Sequence, residues 1–217
     1  MDDPAASDAD GRKPGRALRA DARRNRAQVL QVAAEVFAAE GLSVPVHEIA
    51  RRAGVGTGTV SRHFPTKEEL FAAVLLDRMR QLTEQADEVA GTHDAATAFF
   101  TFFATLVHEG AAHRGLAEAL AGAGYDVETA AVRAGCDVSG RLRTMLVRAQ
   151  EAGAIRADIT YPDVKALMAG CLAREADDPH GTALSRLVTV VSEGLRTRPS
   201  RAGSEAAAGP LRPSGTD

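Results

Sequence analysis

Between residues 20 and 196 the apolar positions recur at helical spacing and not in alternation. In the first stretch, roughly 20–40, Val29, Val32, Val36 and Phe37 fall on one stripe, and Gly41 follows as a helix stop. A short helix is predicted over 46–53, with Val46, Ile49 and Ala50 inward and Gly54 breaking it. Another covers 57–63. The string Phe64-Pro65-Thr66-Lys67-Glu68-Glu69 ends that helix and starts a fourth, because Thr66 and Glu69 have capping-box spacing. The fourth continues to about 90 through Leu70, Phe71, Val74, Leu75 and Leu82, and Gly91 interrupts it. Further helical segments are expected at 94–110, 113–122, 127–152, 162–175 and 180–196. No strand is predicted. Val190 is β-branched, but its neighbours Leu184, Leu187, Val188, Val191 and Leu195 keep helical spacing. The expected fold class is all-α, with about nine helices: three small ones followed by a larger bundle.

Four regions follow from this pattern. Residues 1–18 read as a disordered arm and 198–217 as a disordered tail, both rich in small and polar residues. Residues 19–66 form one helical unit and 67–197 a second. A hydrophobic share of 45% in 217 residues is enough to bury a core without staples. Two cysteines, Cys136 and Cys171, are too few for a disulfide scaffold or a four-cysteine zinc site. They are expected as small buried hydrophobes in a reducing cytoplasm. Aromatics are 4% and tryptophan is absent, which argues against a stacking platform for single strands. No apolar run approaches the ~18 residues of a membrane span, and the acidic start MDDPAASDAD is not a signal peptide. The expectation is therefore a cytoplasmic protein with no membrane partner.

The net charge of −3 hides an asymmetry. Residues 12–67 carry eleven Lys/Arg against Asp21, Glu35, Glu40 and Glu48, a net of +7, whereas 68–217 carry −6. A basic segment joined to an acidic body points to a polyanion at one end only.

The basic segment leads into Ile49-Ala50-Arg51-Arg52-Ala53-Gly54-Val55-Gly56-Thr57-Gly58-Thr59-Val60-Ser61-Arg62-His63-Phe64, which has helix-turn-helix logic. Ala50 is small where two helices cross, and Gly54 stands where the turn needs positive φ. Val55 and Val60 hold the second helix on the first. Its other side, Thr57, Thr59, Ser61, Arg62 and His63, is short and polar. Such a helix fits a major groove about 12 Å wide. Gly56 and Gly58 let backbone approach DNA closely, and Thr and Ser hydroxyls can bond bases or phosphates.

Residues 20–76, above all AEVFAAEGLSVPVHEIARRAGVGTGTVSRHFPTKEELF, resemble the DNA-binding domain of the tetracycline-repressor (TetR) family. The resemblance covers about a quarter of the chain closely and is specific in spacing. It implies an N-terminal three-helix domain for double-stranded operator DNA. It also implies a C-terminal bundle that forms a homodimer and encloses a small-molecule effector site. On it, Thr57, Gly58 and Thr59 open the recognition helix, His63 lies near its end and Lys67 begins the next helix. Together with Ser61 and Arg62 they are the candidate DNA contacts. Two positions depart from the family: Ser61 stands where tyrosine is common, and Val46 where some relatives have a phosphate-binding hydroxyl. Among the upstream basic residues, Arg19 and Arg23 are further candidates for phosphates or the minor groove.

Four of seven phenylalanines fall in Phe99, Phe100, Phe102 and Phe103, where core packing is the ordinary role. The resemblance places their helix beside an effector pocket, with Phe99, Phe103, His108, Tyr125, Cys136, Ser139 and Met145 as candidate lining. It also implies that the last two helices pair with their symmetry mates through Leu167, Met168, Cys171, Leu184, Leu187, Val188, Val191 and Leu195. Without the resemblance those stripes read as intramolecular core. Gly54-x-Gly56-x-Gly58 lacks the third glycine and the preceding strand of a dinucleotide fingerprint. The histidines form no metal-spaced pair and no nucleophile motif occurs, so no metal, cofactor or enzymatic activity is expected. The expected function is a ligand-responsive DNA-binding repressor. The alternatives are a ligand-independent regulator of the same fold and an enzyme on a helical scaffold.

Overall fold

The computed structural model describes residues 14–175 and 182–197. They form α1 (Pro14–Glu40), α2 (Val46–Arg52), α3 (Thr57–His63), α4 (Lys67–Thr92), α5 (Ala95–Ala112), α6 (Arg114–Gly122), α7 (Val127–Arg133), α8 (Val138–Glu151), α9 (Tyr161–Glu175) and α10 (Thr182–Leu195). No strand occurs among the described residues, so the all-α expectation holds. One isolated antiparallel bridge joins Ile155 to Arg196. The tail at 198–217, most of the arm and residues 176–181 lie outside the described residues.

Three expectations need correction. Helix α1 begins at Pro14, inside the stretch read as an arm, and proline suits a first helical position because its φ is preset. Helix α4 runs through Gly91 to Thr92, since a glycine weakens a helix without ending it. The helix predicted over 127–152 is two. Gly135 at φ +78 ends α7, with its own N–H on the Val132 carbonyl and the Cys136 N–H on the Ala131 carbonyl. Asp137 then caps α8, accepting from the Gly140 N–H at 2.7 Å.

Two cores result. The first joins Leu30, Ala33 and Phe37 of α1 with Ile49 and Ala50 of α2, Val60 of α3 and Leu70, Phe71 and Val74 of α4. Leu116 and Leu120 of α6 close it. The second holds all four phenylalanines of α5 with Leu142 and Leu146 of α8, Val164 and Cys171 of α9, and Leu184, Val188 and Leu195 of α10. Helix α4 serves both: its residues 70–75 sit in the first core and Ala86 in the second. Its start follows from sequence, because the Thr66 hydroxyl accepts the Glu69 N–H at 3.1 Å.

Candidate functional site

The turn between α2 and α3 is set by Gly54. Its φ of +66 is a conformation that side-chain-bearing residues rarely adopt. The Gly54 N–H reaches the Arg51 carbonyl at 3.2 Å and the Val55 N–H reaches that of Ala50 at 3.0 Å. This closes α2 and turns the chain into α3. Val60, fully buried, pins α3 from beneath. Thr57, Gly58, Ser61 and Arg62 are left exposed, while Thr59 and His63 are half-buried. No side chain caps α3, whose N-cap is Gly56.

The cations of this region are not equivalent. Arg51 and Arg52 both bond the Glu48 carboxylate, at 2.7 Å each, and Arg52 also bonds Glu40. The two guanidiniums, Arg51 foremost, hold Glu48 down to about 2. Arg62 and Lys67 make no ion pair among the described residues. Lys67 instead sits half-buried with Nζ 5.8 Å from the Phe71 ring. Arg26 lies 5.4 Å over the ring of Phe64, the C-cap of α3, so the basic face of α1 borders the end of the reading helix. Arg23 is exposed on the same helix, and Arg19 lies in its first turns.

A cavity of about 270 Å³ opens where α4, α5, α6, α7, α8 and α9 converge. Leu75, Met79 and Leu82 of α4, Leu106 of α5, Leu142 of α8 and Met168 and Leu172 of α9 give it an apolar lining. One polar cluster interrupts this lining. Arg78 sends Nη2 to both Glu109 carboxylate oxygens at 2.7 Å and Nη1 to Gln81 Oε1 at 2.6 Å. His113, buried, places Nε2 3.5 Å from Glu109 Oε2. His113 and then Arg78 hold the Glu109 carboxyl down to about 2, against burial, which pushes it up. The same three residues also line a crevice where α1 meets α4 and α5. They are the wall between the cavity and the first core.

The low Glu109 value has a testable sign. Its contribution to stability is complete above the ordinary value of 4.5 and gone below about 2. The stability gap between the native chain and Glu109→Gln should therefore narrow as pH falls from 6 to 3. Urea titrations across that range check it; a gap constant with pH would assign acid sensitivity elsewhere.

Of the seven predicted lining residues, only Ser139 borders this cavity. Phe99 and Phe103 are fully buried in the second core, because α5 turns that face toward α8 and α10. His108 is exposed and bridges to Ser185 Oγ at 3.4 Å. Tyr125 and Cys136 line a groove with His63 and Phe64, and Met145 borders a polar groove between α4 and α8. Arg78, Glu109 and His113 were missed. Glu109 and His113 are a helical i, i+4 pair visible in sequence, but Arg78 is 31 residues from Glu109 and carries no local signal.

The predicted pairing stripes also point inward. Cys171, Leu184, Val188 and Leu195 are buried in the chain's own core, and Leu167, Met168, Leu187 and Val191 pack against it. The opposite face is exposed: small residues Ala166, Ala169, Gly170 and Ala173 on α9, and on α10 Thr189, Val190 and Gly194 together with Arg186 and Glu193. A Cβ added at Gly170 or Gly194 would meet nothing within 4 Å.

A glycine-turned helix pair whose second helix is exposed and polar, set in an all-helical chain with two cores, defines a helix-turn-helix protein. The description "Bacterial regulatory proteins, tetR family" matches residues 29–74, and "Transcriptional regulator SbtR-like, C-terminal domain" matches residues 94–197. The TetR transcription regulatory protein of Mycobacterium vanbaalenii is 45% identical, over 83% of this chain and 99% of that one, with a TM-score of 0.67. A TetR transcriptional regulator of Streptomyces coelicolor is 29% identical, over 79% of this chain and 98% of that one, also at 0.67. The HTH-type transcriptional regulator SrpR of Pseudomonas putida is 42% identical over 64 residues, which are 29% of this chain and 30% of SrpR. The chain belongs to the TetR family of DNA-binding transcriptional regulators. No helix among the described residues is long and apolar enough to cross a membrane.

Proposed function

We propose that the chain is a repressor that binds a pseudo-palindromic operator as a homodimer and releases it when a small molecule fills the α4–α9 cavity. The observation that carries this reading is the course of α4. It begins at Lys67, directly after the reading helix, and eleven residues later supplies Arg78 to the cavity wall. A ligand that binds one arrangement of α4 better than another shifts DNA affinity by that difference, typically 1–3 kcal/mol.

Thr57, Gly58, Thr59, Ser61 and His63 are the candidates for contact with base edges and nearby backbone. Arg62 and Lys67 are the candidates for phosphates, because no carboxylate among the described residues engages them. Arg51 and Arg52 are already satisfied by Glu48 and Glu40. Arg19 and Arg23 extend the basic track along α1. The homodimer would meet through the exposed face of α9 and α10, a two-fold pairing suited to half-sites about one helical turn apart.

Selection of sites from a random duplex library, with affinity read at two salt concentrations, tests the proposal. An inverted repeat bound by a dimer supports it; no enrichment by folded, dimeric protein overturns it. On the selected duplex, Lys67→Ala should weaken binding to all sequences and lower the salt slope by about one. Thr59→Ala and His63→Ala should weaken the selected site more than random DNA. Equal losses for all three would sink that division of labour.

A further inference from the structure

We infer that the cavity takes an uncharged, largely apolar molecule of one or two rings whose single polar group is read by the Arg78–Glu109–His113 cluster. This rests on the reading of the cavity as the effector site and adds the class of effector.

Size comes first. An apolar cavity of roughly 150 Å³ accepts one benzene ring. At about 270 Å³ this one, open to solvent at one side, has room for one or two rings. Charge comes second. Both cations of the lining are already neutralised. Arg78 is bound by Glu109 through Nε and Nη2, and Lys165 Nζ stands 3.7 Å from Glu128 at the solvent-exposed side. A ligand carboxylate beside the cluster would face Glu109, and a ligand ammonium would face Arg78. Either ion would lose its hydration with no uncommitted partner in return.

The cluster can still read a neutral group. In the neutral ring with its proton on Nε2, the nitrogen turned to Glu109, Nδ1 is an acceptor. Nδ1 has no partner among the described residues, and no buried side-chain nitrogen or oxygen there lacks one. That nitrogen therefore opens to free space, and the spaces His113 borders are the cavity and the crevice behind it. A hydroxyl on the ligand can donate to it. Because Arg78, Glu109 and His113 also face α1 across that crevice, the group that reads the ligand is the group that looks onto the DNA-binding unit.

Calorimetric titration of the full chain with 2-naphthol, 2-naphthoate and 2-naphthylmethylammonium at pH 7.5 tests the inference. Naphthol should bind at least tenfold more tightly than either ion. Glu109→Gln leaves Arg78 unopposed and should move the ranking toward naphthoate by at least tenfold. Arg78→Gln should move it toward the ammonium, and circular dichroism decides which variant is folded and counts. An ion that matches naphthol on the native chain overturns the inference while leaving the effector-site reading intact. So does a ranking unmoved in the folded variants. If none of the three binds, or if naphthol binding survives Ser139→Phe, which fills the cavity, both readings fall.

Discussion

Phe71→Ala should cost about 3–5 kcal/mol of stability and abolish operator binding at temperatures where the native chain is folded. The side chain is 7% exposed in the first core. Its ring meets Phe37 edge-to-face, with centroids 4.9 Å apart and planes at 87°. This contact joins α1 to α4 beneath the helix-turn-helix, and an aromatic pair of this geometry adds about 0.5–1.5 kcal/mol beyond burial. Domains are stable by only about 5–15 kcal/mol, so the loss is a large fraction of the total. Thermal unfolding followed by circular dichroism, alongside fluorescence anisotropy of the selected duplex, measures both effects. Val147→Ala, at a site on α8 47% exposed, is the control and should leave stability nearly unchanged. A loss below 1 kcal/mol for Phe71→Ala would mean that α1 and α4 are held by other contacts.

Gly170→Arg should convert the proposed dimer to a folded monomer. The glycine is open on the outer face of α9 with Ala166, Ala169 and Ala173 around it, and small residues are what allow two helices to approach closely. An arginine there adds bulk and a charge to a surface that would be buried against its copy. It does not touch the chain's own core, so the far-ultraviolet spectrum and melting of the isolated chain should persist. Loss of the second half-site removes an avidity of about 10²–10⁴ on an inverted repeat, while affinity for a single half-site stays the same. Sedimentation velocity and anisotropy on full and half operators separate these outcomes. A dimer that survives the change would place the interface elsewhere.

The DNA-reading unit was legible because its signals are local. Gly54, Val60 and the Thr66–Glu69 cap each act within a few residues of themselves, and the structure uses each as its spacing suggests. The bundle was legible only as a set of helices. The boundary at Gly135 was lost inside a longer apolar pattern, although Asp137 three residues before Gly140 is a cap signal. The cavity was hardest. Its lining comes from six helices, and whether an apolar side chain faces a void or a neighbour is decided by how those helices cross. Phe99 and Phe103 have the composition of a pocket but fill the core. Leu75 and Leu82 read as ordinary core and line the void. Arg78 and Glu109 meet only because α4 and α5 pack together. For α9 and α10 the apolar stripe packs inward, and the small exposed residues of the other face give little hydrophobic signal.

The length of α4 has a mechanical consequence. At about 1.5 Å of rise per residue, the eleven residues from Lys67 to Arg78 make a rigid arm of about 16 Å. If the helix pivots at the cavity wall, a tilt of only ~10° sweeps its DNA-proximal end through about 3 Å by this geometry. Successive phosphates on one strand are separated along the duplex axis by about 3.4 Å. A swing too small to break either core would thus throw Lys67 nearly one phosphate out of register. In a two-fold assembly the two arms would swing in opposite senses, and the error in spacing between the half-sites would double.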